Sequence, residues 1–152
     1  MLDSKLLAPQ TTRRLRREEY DRLVALGAFE DERIELLEGE LVTISPNNPE
    51  HASPVQFLTE LLVVALRGRA TIRIQLPIIA VRESEPEPDV AIVPLGAYRN
   101  AHPDRAHCVI EVAHSSVSNG PDGYRSSARY AAGQSVTLLD FPDVSVDVAQ
   151  LF

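Results

Sequence analysis

The sequence predicts a single mixed domain of the α/β (α+β) class, and three observations support this. A length of 152 residues suits one domain. Apolar residues recur at helical spacing in two stretches and form several short strand-like runs elsewhere, so both kinds of element are expected. With 44% apolar and 24% charged residues, the chain can build a packed core. We expect a flexible N-terminal arm over residues 1–12 and one domain over residues 13–152.

Two amphipathic helices are expected. The first begins within residues 13–20 and stops at Gly27, where a glycine can end a helix. The turn-rich segment SPNNPEHASP leads into the second helix. We expect Ser53 as its N-cap, Pro54 at the first helical position and Gln56 completing a capping box. Its buried stripe is expected to comprise Val55, Leu58, Leu62 and Leu66.

The segment RIELLEGELVTI predicts a hairpin with a tight turn at Glu38 and Gly39. If that turn has two residues, Glu35 faces the second strand on the same side of the sheet as Leu37 and Val42. A carboxylate among apolar neighbours is either partly exposed or held for a purpose, and the sequence leaves both alternatives open.

The strands that follow are expected to form the interior of a sheet. TIRIQLPIIAVRE predicts two strands joined or bent at Pro77, because proline cannot donate to a central ladder. A proline-rich loop leads to a strand that starts at Asp89, and AHCVIEV gives another strand with Glu111 on the face of Val109. Runs this apolar are typical of a sheet covered on both faces. GYRSSARYAAGQSVTLLDF then predicts two weak strands, and PDVSVDVAQLF a strand or short helix.

Composition excludes several classes of protein. The net charge of −7 argues against sequence-independent binding of nucleic acid by the whole surface. A single cysteine, Cys108, excludes an internal disulfide and a cysteine-based zinc ribbon. Of the 15 basic residues only Lys5 is a lysine, so lysine chemistry in the folded domain would depend on that residue. Without a long apolar run or a signal-peptide pattern, we expect a soluble cytoplasmic protein that does not span a membrane.

Asp89 and Glu111 form the strongest chemical constellation in the sequence. Both acids lie on strands expected to be neighbours, and hard divalent cations such as Mg²⁺ prefer carboxylate oxygens. An ion held there could polarise a phosphodiester. Taken alone, each acid is better explained by a solvated loop edge or a surface salt bridge.

An ordered set of segments across about residues 13–116 carries a family resemblance. The segments are EEYDRLVALG, DERIELLEGELVTISPNNPEH, GRATIRIQLPI, SEPEPDVAIV and CVIEVAHSS. In this order they resemble the PD-(D/E)XK restriction-endonuclease-like superfamily and, within it, the bacterial Uma family. The resemblance implies a mixed central sheet flanked by helices, a DNA substrate, and an endonuclease that depends on Mg²⁺ or Mn²⁺.

The resemblance also assigns roles to five residues. Asp89 corresponds to the metal-binding aspartate of the PD motif, and Glu111 to the acidic residue of the (D/E)XK motif. Glu35 matches an N-terminal glutamate that faces the same site, and His51 and Gln75 match recurrent polar positions. From the residues alone, His51 could instead be a solvent-facing or capping histidine, and Gln75 could satisfy a backbone group.

The superfamily pattern breaks at its lysine. The resemblance implies a lysine two residues after the second acid or, in the Uma family, in a DRxxK-like stretch of a following helix. Here Ala113 occupies the first position, and no DRxxK-like stretch follows Ser116. Near residues 117–120 the chain passes directly to what resembles the C-terminal segment of the family, so a helix and two strands, about 25–35 residues, are missing. An alternative alignment uses Asp122 and places Ser126 at the lysine position. We favour the deletion because the intervening glycines and proline are poor helix formers.

Two functions follow from this pattern. The first is a metal-dependent DNA endonuclease impaired by the missing lysine, so whether the chain is still an enzyme stays open. The second is an inactive remnant that binds a protein or a nucleic acid. A missing strand would leave a sheet edge open, which favours a protein partner or self-association as a homodimer. A small-molecule enzyme is disfavoured because neither a phosphate-binding glycine loop nor a Ser-His-Asp pattern is present.

Overall fold

The computed structural model describes residues 13–45, 48–113 and 126–152. The expected N-terminal arm with Lys5, and the expected junction near 117–120 with Ser116 and Asp122, lie outside these ranges. The elements, in chain order, are α1 (Arg17–Ala25), β1 (Ile34–Leu37), β2 (Glu40–Thr43), α2 (Pro49–Ala65), β3 (Thr71–Ile74), β4 (Val90–Val93), β5 (Cys108–Ile110), β6 (Ser135–Leu138), β7 (Phe141–Asp147) and a short 3₁₀ helix (Val148–Gln150). Neither α-helix in the described ranges is long and apolar enough to cross a membrane.

The mixed α+β class is confirmed. The described residues form three small sheets, β1–β2, β3–β4–β5 and β6–β7, and every pairing in them is antiparallel. In the central sheet, β4 lies between β3 and β5, and all four of its residues are buried. Within the described ranges, β5 pairs with β4 alone.

The core lies on both faces of the central sheet, as the apolar runs predict. On one face α2 and the β6–β7 hairpin pack against Val90 and Ile92 of β4. The opposite face of β4, with Ala91 and Val93, packs against Ile78 in a smaller cluster. The predicted stripe of α2 is confirmed, because all its members are buried: Val55, Leu58, Leu62 and Leu66.

The β1–β2 hairpin has the predicted register. Glu35 pairs with Val42 and Leu37 with Glu40. Glu38 and Gly39 both have positive φ, +49° and +80°, as the tight two-residue turn requires. The hairpin is also joined to the proline-rich segment before β4, because the Glu85 N–H donates to the Leu36 carbonyl at 2.7 Å.

The predicted start of α2 is wrong. The N-cap is Asn48, whose side chain accepts a hydrogen bond from the His51 N–H, and Pro49 occupies the first helical turn. Ser53 and Pro54 therefore lie inside the helix. Both Asn-Pro and Ser-Pro satisfy the rules for a helix start, and the earlier pair prevails because it adds a further turn. That turn contains His51.

The second strand predicted after Pro77 is also absent from the described residues. Residues 75–80 are irregular, and only an isolated bridge joins Val81 to Ser84. Gln75 adopts φ +49° and turns the chain away from the sheet after β3. Towards the C-terminus, β6 and β7 confirm strands in SVTL and FPDVSVD, whereas residues 126–130 have no regular structure.

The capping arrangement of α2 can be tested by two matched substitutions. Asn48→Ala should lower the free energy of unfolding by about 1 kcal/mol, because the His51 N–H loses its acceptor. Ser53→Ala, within the exposed face of the helix, should have less than half that effect. Urea unfolding of both variants measures the difference. A larger loss for Ser53→Ala would restore the later helix start.

Candidate active site

The Asp89 carboxylate is the centre of a polar cluster at one end of the central sheet. Asp89 is 8% exposed. Its Oδ1 lies 2.8 Å from His51 Nε2 and 3.4 Å from the donating Gln75 Nε2, and its Oδ2 accepts the Val112 N–H at 2.8 Å. A carboxylate can only accept, so Nε2 of His51 carries the proton of that hydrogen bond.

The strand register explains why these residues meet. Val90 pairs with Ile110, so the next residues outward, Asp89 and Glu111, come opposite each other as the antiparallel ladder ends. On the other side of β4 the same extension brings Gln75 beside Asp89. Two predicted site acids and one predicted polar residue thus lie at the same sheet end.

The carboxylate of Glu111 contacts Asp89 directly. The Asp89 N–H donates to Glu111 Oε2 at 3.3 Å. Although the residue as a whole is exposed, burial around the carboxylate raises the pKa of Glu111, and the negative charges of Asp89 and Glu35 raise it further. Like charges held this closely create a strong local preference for a cation.

Glu35 is held beside this pair by a backbone group. It is half-buried, and its Oε2 accepts the Glu87 N–H at 3.0 Å. Burial raises the pKa of Glu35, while that hydrogen bond opposes the change. Of the two alternatives that the sequence leaves open, partial exposure is observed, and the same carboxylate is also fixed by a hydrogen bond. Its charge reaches Glu111.

The carboxylates of Asp89 and Glu111 suit a hard divalent cation that completes its ligand shell with water and a substrate. Within the described ranges, no group of three or more His, Cys, Asp or Glu side chains is arranged to hold a metal by itself. Mg²⁺ is commonly bound by only one or two carboxylates, with water and substrate phosphates completing its shell. The carboxylates of Asp89 and Glu111, which lie close enough to interact with each other, fit that mode of binding.

The structure contains a second polar cluster, around His102, that the sequence does not predict. Arg73 Nη2 donates to His102 Nδ1 at 3.2 Å, and His102 Nε2 lies 3.7 Å from Glu85 Oε1. Arg73 Nε is buried without a hydrogen-bond partner. The only sequence signals are an arginine within the apolar run TIRI and a glutamate directly before a proline.

The two remaining histidines, His107 and His114, have no role in the predictions from the sequence. His107 Nδ1 lies 2.7 Å from Asp140 Oδ2 and joins the start of β5 to the β6–β7 hairpin. This contact is structural and lies away from the acids. His114 lies outside the described residues. Cys108 is partly buried and packs against the core as a small side chain.

The comparison with known protein families gives the class of this protein. A sequence model of the Uma2 family, described as "Putative restriction endonuclease", matches residues 17–149. The chain belongs to this family, which confirms the resemblance seen in the ordered segments. No curated protein matches the sequence.

Glu85 provides a test of the second cluster. Burial, followed by the charge of Asp21, raises the pKa of Glu85 from 4.5 to about 7. The folded state therefore retains a proton that the unfolded chain loses, so stability falls as the pH rises through this window. Glu85→Gln should raise the free energy of unfolding at about pH 8 by on the order of 1–3 kcal/mol, with little change at about pH 4.

Chemical unfolding at the two pH values measures this effect. Glu40→Gln, at an exposed position, is the matched control and should change stability little at either pH. An equal effect of Glu85→Gln at both pH values would contradict the proton linkage.

Proposed function

We propose that this chain is a metal-dependent DNA endonuclease of the PD-(D/E)XK type, with activity reduced by the loss of the catalytic lysine segment. The observation that carries the proposal is that the Glu111 carboxylate accepts the Asp89 N–H, so that the two acids lie side by side at one end of the central sheet. Membership of a restriction endonuclease family supports a nuclease rather than an unrelated hydrolase.

Each site residue has a role that its contacts support. Asp89 and Glu111 would hold Mg²⁺ or Mn²⁺, which, when bound, polarises the phosphodiester and lowers the pKa of water. Glu35, fixed by the Glu87 N–H, is placed to accept a proton or to serve as a further ligand. His51 and Gln75 both contact Asp89 Oδ1 and fix the orientation of that carboxylate.

The proposed impairment rests on charge. In the superfamily pattern a lysine orients the water and stabilises negative charge on the phosphate, and removing one such donor typically lowers the rate by about 10²–10³. Here Ala113 occupies the position two residues after Glu111, and the only lysine of the chain is Lys5. Arg129 is not an equivalent substitute, because a guanidinium differs in geometry and cannot give up its proton.

We also propose that the lysine was lost together with a helix and two strands near residues 117–120. The pairing of β5 with β4 alone, within the described ranges, supports an open edge on the central sheet. A second copy of the chain that added a strand there would form a homodimer.

A nicking assay tests the function. Purified protein is incubated with supercoiled plasmid DNA and Mg²⁺ or Mn²⁺, and the nicked product is followed over time. We expect slow nicking that stops when a chelator is added. Asp89→Asn and Glu111→Gln should each lower the nicking rate at least about 100-fold, because each removes a metal ligand. Asp104→Asn, at an exposed acid, is the control and should leave the rate unchanged.

The other outcomes are equally informative. Rapid nicking by the unmodified chain would contradict the impairment. Nicking that survives Asp89→Asn would place the chemistry elsewhere. No nicking with either metal, together with stable binding of DNA or of a protein, would support the inactive remnant.

A further inference from the structure

We propose that a groove between α2 and the end of β3 binds one unpaired nucleobase of a DNA strand, next to the acid pair Asp89 and Glu111, where the proposed divalent metal would hold the adjoining phosphate. This inference rests on the proposed function and adds a substrate class to it. The cavity measures about 470 Å³, which is within the usual range for small-molecule sites. We refer to it as the base groove.

The base groove is continuous with the acid pair. Ile74 and Gln75 form one wall, and the Gln75 amide also donates to Asp89 Oδ1. Ala52 lies in the opposite wall, directly after His51, whose ring contacts the same oxygen. One wall thus contains a residue that contacts Asp89, and the other contains the neighbour of such a residue. A group bound in the groove would adjoin a ligand held at the Asp89 carboxylate.

The backbone of Gln75 is an independent observation. Its φ of +49° lies in the left-handed region, which a residue other than glycine adopts at a conformational cost. The Gln75 N–H donates to the carbonyls of Pro88 and Asp89, which hold this conformation. Strain of this kind concentrates at ligand sites, and here it occurs where the groove meets the acids.

The lining favours a nucleobase over a phosphate. Ala52, Val55 and Ile74 supply apolar surface. Gln56 and Thr59 add an amide and a hydroxyl, and no described residue of the lining is cationic. A neutral, flat group with hydrogen-bonding edges matches this surface, whereas a phosphate would lack a positive partner and would meet the Glu60 carboxylate.

A base can enter the groove only when it is unpaired. In a duplex the bases are stacked and paired, so a protein that encloses one acts on single strands or extrudes the base. The net charge of −7 is also unfavourable to a long track of duplex phosphates. Single-stranded or locally unpaired DNA is therefore the substrate class that the base groove indicates.

The test compares two leucine substitutions. Ala52→Leu fills part of the groove, and Ser53→Leu places the same side chain on the adjacent exposed position outside the lining. Binding is measured by fluorescence anisotropy, with Ca²⁺ in place of Mg²⁺, to a short labelled single strand, to the corresponding duplex, and to an abasic strand of equal length. Equal thermal midpoints of the two variants show that both remain folded.

We expect the unmodified chain to bind the single strand more tightly than the duplex. Ala52→Leu should weaken binding of the base-bearing strand about tenfold and leave the abasic strand unaffected, because the leucine occupies space that the base would fill. Ser53→Leu should change neither.

Three results would overturn the inference. Equal effects of Ala52→Leu and Ser53→Leu, equal effects on base-bearing and abasic strands, or preference for the duplex would each remove the base groove while leaving the proposed nuclease intact. Failure of the unmodified chain to bind any of these DNAs would overturn the proposed function as well.

Discussion

The site depends on the carboxylate of Asp89, which accepts hydrogen bonds from three separate parts of the fold. His51 comes from the first turn of α2, Gln75 follows β3, and Val112 follows β5. A buried carboxylate must be satisfied in this way, and its partners would in turn lose their acceptor without it. Asp89 thus fixes the sheet end on which the acids and the base groove lie.

The proline-rich segment before β4 supplies the second constraint. Pro86 and Pro88 have no N–H to donate, so the N–H of Glu87 is the donor available between them, and it holds Glu35. The same segment begins at Glu85, which faces His102 in the second cluster. Alternating acids and prolines therefore distribute three carboxylates among different sites along one stiff stretch of chain.

The features that the sequence predicts well are those set by local periodicity. The stripe of α2 and the register of the hairpin follow from spacings of 3.6 and 2 residues. The start of α2 could not be predicted, because Asn48-Pro49 and Ser53-Pro54 both satisfy the capping rules and only the folded chain selects one.

The sequence predicts which residues form the site, but it does not predict the contacts between them. The resemblance names all five residues, but the contact of His51 with Asp89 spans 38 residues of chain and depends on how α2 packs on the sheet. The contacts that link Arg73, His102 and Glu85 correspond to no sequence motif. They join an arginine, a loop histidine and a buried glutamate that meet only after folding.

The central claim is that the metal-binding acids are present and the lysine that completes them is absent. Restoring that charge tests it most directly: Ala113 is exposed, so lysine and glutamine can both be introduced there. The rate of plasmid nicking with Mg²⁺ should rise at least about tenfold in Ala113→Lys and stay unchanged in the neutral Ala113→Gln. Equal rates for the two variants would contradict the account.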